Sequence, residues 1–133
     1  MTTAQTPKLI RSASYFPVHD VKKAADYYSD TFGFAIDYLA GVPPQFAILS
    51  RDGQTIMLRL VSETNRIVPN EAQGGTWDVF FWVNDVHALY EEFRSKGATI
   101  AYGVIYQETY DMDEFAVRDA DGYVLGFGQT REA

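Results

Sequence analysis

One stretch of the sequence predicts a capped helix that follows a strand: Val18-His19-Asp20-Val21-Lys22-Lys23-Ala24-Ala25-Asp26-Tyr27-Tyr28-Ser29-Asp30-Thr31-Phe32-Gly33-Phe34. Asp20 can accept hydrogen bonds from the free N–H groups of the first helical turn, so it is a suitable N-cap. Gly33 can adopt the left-handed conformation at which many helices end. Between these two residues the apolar side chains recur at helical spacing on one face, namely Val21, Ala24, Ala25, Tyr28 and Phe32.

The same pattern returns 65 residues later, in Val83-Asn84-Asp85-Val86-His87-Ala88-Leu89-Tyr90-Glu91-Glu92-Phe93-Arg94-Ser95-Lys96-Gly97. Asp85 takes the place of Asp20, and the apolar face repeats in Val86, Leu89, Tyr90 and Phe93. Each helix is followed by short alternating strands, and Asp52-Gly53 and Asp121-Gly122 supply the turn chemistry of hairpins. The sequence therefore predicts an internal duplication with the order β-α-β-β-β in each copy.

We expect an α+β fold in which these two modules form curved, mostly antiparallel sheets with the helices on the outer face. The predicted boundaries are a flexible tail at 1–8, a first module at 9–62, a polar and turn-rich linker at 63–75, and a second module at 76–130. The whole is expected to be one compact domain, because 133 residues suffice for a single hydrophobic interior.

Composition excludes several classes of function. The formal net charge of -7 disfavours nucleic acid as a partner, because phosphate contacts require clustered Lys and Arg. The absence of cysteine excludes disulfides, a thiolate nucleophile and cysteine-ligated metal. No apolar run reaches membrane-spanning length and no signal peptide is evident at the N-terminus, so a cytoplasmic location is expected and no membrane partner.

The candidate binding residues share the sheet face that points away from the helices. Strand alternation places Phe16 and Val18 beneath the first helix and turns Tyr15 the other way. The same alternation collects an aromatic and charged set on that second face: Tyr15, Met57, Arg59, Asp78, Phe80 and Trp82. A second apolar face on a sheet requires either a partner subunit or a ligand to cover it. The two possibilities are compatible, because clefts often form between subunits.

Three features of the sequence belong together: the duplicated module, the motif Pro-Val-x-Asp-Val-x-x-Ala-x-x-Tyr-Tyr followed by Phe-Gly-Phe, and Asp-Ala-Asp-Gly before the last strand. In these features the sequence resembles the vicinal oxygen chelate superfamily of glyoxalases, bleomycin resistance proteins and extradiol dioxygenases. The resemblance covers about Ile10 to Gln129. It implies metal ligands seven residues before each helix-capping Asp and four residues after each hairpin Gly. In this sequence those positions hold Ala13, Met57, Asp78 and Gly126.

Only Asp78 among these four could ligate a metal through oxygen, and one carboxylate does not hold Fe, Mn, Ni or Zn. His19 and His87 are expected to be surface residues rather than replacement ligands. No metal and no cofactor is therefore expected. In this respect the sequence resembles the metal-free bleomycin-resistance branch, which also has Pro three residues before the capping Asp, as Pro17 stands before Asp20.

Three functions follow as alternatives. The first is a metal-free binding protein for a small, flat aromatic molecule, neutral or cationic, held by the aromatic set described above. The second is a lyase, isomerase or dioxygenase-like enzyme with an atypical site. The third is a dimeric interaction domain without a ligand. A homodimer is expected, because two aromatic-lined sheets on 133 residues leave apolar surface that needs cover. The cleft lies either within one chain or between two. Glu108 and Glu114 are interpreted as solvated residues of an acidic loop.

Overall fold

The structure, a computed structural model, describes residues 6–63 and 66–131; part of the predicted tail (1–5) and part of the predicted linker (64–65) lie outside this range. The elements follow the order β-α-β-β-β twice, and a 3-10 turn at Asn70–Gln73 lies between the copies. The first copy holds β1 Ala13–Val18, α1 Val21–Phe32, β2 Ala35–Ala40, β3 Phe46–Arg51 and β4 Gln54–Leu60. The second copy holds β5 Val79–Trp82, α2 Val86–Ser95, β6 Thr99–Gln107, β7 Met112–Arg118 and β8 Val124–Thr130. Within the described ranges, no helix has the length and apolar character needed to cross a membrane.

The predicted duplication is confirmed by the topology. The two four-stranded sheets have the equivalent orders β1-β4-β3-β2 and β5-β8-β7-β6. In each sheet the first strand runs parallel to the last strand of its module, and the remaining pairs are antiparallel. The register sets Tyr15 opposite Met57 in the first sheet and Phe80 opposite Gly126 in the second. Each module is thus a mixed sheet with one helix packed on it.

The helix caps are formed by the residues that the sequence predicted. The Asp20 carboxylate accepts a hydrogen bond of 3.0 Å from the Lys23 backbone N–H, and the Asp85 carboxylate accepts one of 3.0 Å from that of Ala88. Gly33 ends α1 in the left-handed region at φ 73°. These contacts satisfy N–H groups that a helix leaves free in its first turn.

The helix-bearing faces of the two sheets meet in one hydrophobic core. The Phe32 ring of α1 lies 5.2 Å from the Phe93 ring of α2, measured between centroids. In the same core, the ring of Phe16 in β1 stacks on the ring of Tyr123, with 4.4 Å between the centroids. The opposite face of each sheet, here called its helix-free face, does not take part in this core.

Polar contacts also join the modules at buried positions. The hydroxyl of the fully buried Tyr28 donates to the Asp119 carboxylate at 2.6 Å. Burial, the first cause, and the Asp119 charge raise the pKa of Tyr28 well above its ordinary value. Burial also raises the pKa of Asp119 to about 6, although hydrogen bonds from Tyr28 and from two backbone N–H groups act against the rise. Nearer the surface, Arg51 makes a bidentate ion pair with Glu92, with N–O distances of 2.8 and 3.1 Å.

Candidate functional site

The first sheet contributes Tyr15, Met57 and Arg59 to its helix-free face. Tyr15 is 54% exposed, and its ring meets the ring of Phe46 edge-on at 6.4 Å. The guanidinium of Arg59 lies over the Tyr15 ring, 5.7 Å from its centroid. An arginine within about 6 Å of an aromatic face makes a favourable cation–π contact. The three residues therefore form one wall, with an exposed ring and a positive charge already in contact with it.

The second sheet contributes Phe80 and Trp82 to its own helix-free face. The Phe80 ring lies between two indoles, 4.7 Å from that of Trp77 and 5.1 Å from that of Trp82. Trp82 is 73% exposed, which is unusual for so large an aromatic residue. This second wall is therefore an aromatic cluster with one ring open to solvent.

Two glycines of β8 allow this cluster to lie flat on the sheet. A Cβ atom on Gly126 would stand 2.5 Å from Trp77 Cδ1 and 2.7 Å from Phe80 Cδ2. A Cβ atom on Gly128 would stand 2.6 Å from Phe80 Cζ. These distances are far below van der Waals contact, so the rings occupy the space of the missing side chains. The sequence pattern did not predict this arrangement, although a glycine inside a strand often marks a close approach of other groups.

Asp78 has a different environment from the one that the sequence suggested. Its Oδ1 accepts a hydrogen bond of 2.9 Å from the Asn70 backbone N–H, and its Oδ2 accepts one of 2.8 Å from that of Val124. Through these two hydrogen bonds, Asp78 holds the segment before β5 against the start of β8. No ion pair of the described residues joins Asp78 to Arg59, although the sequence placed both on the same face.

Glu114 corrects a second expectation. It is not a solvated loop residue: it lies in β7, and its side chain is fully buried. The hydroxyls of Tyr102 and Tyr110 both donate to its carboxylate, and Trp77 Nε1 donates to the Tyr102 oxygen at 2.8 Å. Burial and the hydrogen bond to Glu114 raise the pKa of Tyr110 to about 12 and that of Tyr102 further still. Strand alternation from Phe115, which is part of the core, places Glu114 on the helix-free face.

The two histidines lie at the surface. His19 is exposed, and its Nδ1 lies 2.6 Å from the Asp121 carboxylate in the turn before β8. His87 is exposed on α2. Among the described residues, no group of three or more His, Asp or Glu side chains is placed to hold a metal ion.

A groove of about 850 Å³ runs between the modules along β5. Its walls include Phe80 and Trp82 from the predicted set, together with Ser12, Phe34, Leu89 and the Arg51–Glu92 pair. Tyr15, Met57 and Arg59 do not line it. No hydrogen bond, ion pair or ring contact within the described ranges connects the Tyr15 wall to the Phe80–Trp82 wall. Five of the six predicted residues therefore form two separate walls in one chain, and Asp78 belongs to neither wall.

The sequence matches the family model described as "Glyoxalase/Bleomycin resistance protein/Dioxygenase superfamily" over residues 11–127. The chain belongs to this superfamily. A comparison with curated proteins gave no match.

Solved structures of similar fold include proteins with different described roles. TioX from Micromonospora sp. ML1 superposes with a TM-score of 0.73 at 22% identity, over 90% of this chain and 98% of TioX. TnmS3, an antibiotic binding protein from Streptomyces sp. CB03234, gives 0.69 at 20% identity, over 95% and 99% of the two chains. A glyoxalase-related enzyme from Clostridium phytofermentans gives 0.74 at 12% identity, over 96% and 99%. At these identities the likeness establishes the fold alone, which hosts both binding proteins and enzymes.

The positions at which metal-using members of the superfamily hold their ligands do not fit a metal here. Ala13 has no donor atom, and the thioether of Met57 is a poor ligand for Fe, Mn, Ni or Zn. Both oxygens of Asp78 are engaged by backbone N–H groups. At Gly126 the space for a ligand side chain is filled by Trp77 and Phe80. The site therefore offers surfaces for packing and hydrogen bonding rather than a coordination sphere.

Proposed function

We propose that this protein is a metal-free binding protein that holds a small, flat aromatic molecule between two copies of the chain. The observation that carries the proposal is the exposure of aromatic rings on both helix-free faces, with Tyr15 at 54% and Trp82 at 73%. The core of the chain is already complete on the opposite faces, so these rings are not needed to fold it.

The arrangement of the two walls favours a cleft shared by two copies. Because the walls are separate in one chain, the first-sheet wall of one copy and the second-sheet wall of another are the natural partners. A twofold axis would generate two such clefts at once, as in closed dimers generally. Each cleft would offer the rings of Tyr15 and Trp82 to a planar molecule, and stacking between aromatic rings favours such ligands. The antibiotic binding function of TnmS3, which shares the fold, is consistent with this use of it.

A complementation experiment tests the shared cleft. The variants Tyr15→Ala and Trp82→Ala are co-expressed with different tags, and the mixed dimer is isolated by two affinity steps. Of its two clefts, one carries both changes and the other carries neither, because each cleft takes one wall from each chain. Binding of 1-pyrenemethanol, a neutral planar probe, is then measured by fluorescence. His87→Ala, a change at an exposed residue of α2, serves as the matched control.

The expected result is that the mixed dimer binds the probe with the affinity of the unchanged protein but at half its stoichiometry. Each single-variant protein should bind about tenfold more weakly, since loss of one stacking ring corresponds to roughly 1–1.5 kcal/mol. If the mixed dimer binds as weakly as its parents, the cleft does not combine walls from two chains. If the unchanged protein binds no planar compound, the aromatic faces serve packing and the proposal fails.

A further inference from the structure

The cleft proposed above does not use the buried carboxylate of Glu114. It emerges on the helix-free face of the second sheet, opposite Gly128 across the β7–β8 ladder. Phe80 covers the same Gly128, with its Cζ where the Cβ atom of a larger residue would be. Glu114 therefore lies beside the aromatic wall that we assign to ligand binding, although it is fully buried.

The carboxyl group of Glu114 has no positively charged partner among the residues that the structure describes. The two arginines of the second module pair with other acids, Arg94 with Glu91 and Arg118 with Glu71, and Arg131, just after the module, pairs with Asp113. Its partners are two neutral phenols, which satisfy hydrogen bonds without balancing charge. Burying a carboxylate without a positive partner is costly. A positively charged partner would therefore stabilise a carboxylate at this position.

The two phenols differ in how firmly they are held. The hydroxyl of Tyr102 accepts a hydrogen bond of 2.8 Å from the indole N–H of Trp77, and the Tyr102 side chain is half-buried. Tyr110 lies in the turn before β7 and is 42% exposed, and Glu114 is its one hydrogen-bond partner among the described residues. Tyr110 can thus leave the carboxylate by turning into solvent, where water satisfies its hydroxyl, whereas Tyr102 cannot do so without breaking the contact with Trp77.

We propose that Glu114 is the recognition site for a positively charged amine on the ligand, and that Tyr110 is the exchangeable cover of this site. The inference rests on the proposed function, because the flat part of the ligand is held between Tyr15 and Trp82. The ligand ammonium replaces the Tyr110 hydroxyl, and Tyr102 remains bound to the carboxylate. The ligand class is accordingly an aromatic ring system bearing a protonated alkyl amine. Asp78, the acid in the binding set predicted from the sequence, is occupied by backbone N–H groups.

A pair of matched probes tests the amine site. 1-Pyrenemethylamine, cationic at neutral pH, and 1-pyrenemethanol share the same ring system and differ only in the charged group. Their dissociation constants are measured for the unchanged protein, for Glu114→Gln and for Tyr110→Phe. We expect the unchanged protein to bind the amine about tenfold more tightly than the alcohol, because hydrogen bonds to charged groups are the strong ones.

Each variant has a distinct expected signature. Glu114→Gln should remove the advantage of the amine and leave the alcohol within about threefold of its original affinity. Tyr110→Phe should bind the amine more tightly than the unchanged protein, because phenylalanine cannot compete for the carboxylate. A purely structural role of Glu114 would instead change the affinities of both probes together. Tyr110→Phe keeps the test decisive if Glu114→Gln does not fold.

The outcomes separate this inference from the proposal on which it rests. If both probes bind the unchanged protein equally and Tyr110→Phe does not favour the amine, the amine site is refuted while aromatic binding stands. If neither probe binds the unchanged protein, both proposals fail.

Discussion

The substitution Gly126→Ala tests the aromatic cluster on the second sheet directly. The new methyl group would lie 2.5 Å from Trp77 Cδ1 and 2.6 Å from Trp77 Nε1, so the indole has to leave its place on the strand. Forcing one extra methyl group into a packed site costs about 1–3 kcal/mol. Displacement of the indole also strains its 2.8 Å hydrogen bond to Tyr102, a contact of roughly 1 kcal/mol.

We therefore expect Gly126→Ala to lower the free energy of unfolding by about 2–4 kcal/mol, the sum of these two effects. Chemical denaturation followed by circular dichroism measures this loss. Gly103→Ala is the matched control, because Gly103 also lies in a strand of the second module and its Cβ atom would stand 3.5 Å from the Tyr90 hydroxyl, an ordinary contact. The Trp77 emission, isolated in a Trp82→Phe background, should shift in Gly126→Ala and not in the control. Equal unfolding free energies for the two variants would refute the close packing of Trp77 on Gly126.

Three further predictions concern pH, metal and assembly. Because the pKa of Asp119 is raised to about 6, the folded state holds the proton more tightly than the unfolded chain, and this carboxyl group makes stability fall as pH rises from about 4 to 6. Asp119→Asn, which keeps a side chain that can bond Tyr28, should therefore gain roughly 1–3 kcal/mol relative to the unchanged protein between pH 4 and 6; a pH-independent difference in denaturation would contradict this. Elemental analysis of protein purified without chelators should find no stoichiometric Fe, Mn, Ni or Zn, and one such metal per chain that is lost in Asp78→Ala would restore the enzyme alternative. Light scattering coupled to size exclusion should give about twice the 15.0 kDa chain mass, and a monomer at micromolar concentration would argue against a shared cleft.

The fold could be predicted from the sequence because its signals are local and repeated. Asp20 and Asp85 cap their helices as expected, since capping depends on residues within one turn. Strand alternation placed Tyr15 and Trp82 on the helix-free faces correctly for the same reason. The residues that specify the site were harder to find. The packing of Trp77 on Gly126 brings together residues 49 positions apart in the chain, and no periodicity encodes such a contact.

Glu114 is the clearest example of a site residue whose environment the sequence could not predict. A carboxylate near a polar, acidic turn is normally solvated, so the sequence favoured that interpretation. Its burial depends on Tyr102, Tyr110 and Trp77, which approach it from a neighbouring strand, a turn and the segment before β5. Each of those tyrosines taken alone is an ordinary strand or turn residue. The cluster exists only once the β6–β7 register is fixed, and this register contains two irregularities that the sequence did not indicate.

The shared core affects how the chain folds during synthesis. Tyr28 belongs to the first module and is fully buried, yet the carboxylate that accepts its hydrogen bond, Asp119, lies 91 residues further along the chain. Phe32 likewise lacks its ring partner until Phe93 of the second helix has been made. On the ribosome the first module therefore emerges with one side of its helix uncovered, and that side stays uncovered until the second module has been made. Because the second module of a neighbouring nascent chain offers the same partners, crowded polysomes are the setting in which two chains would exchange halves.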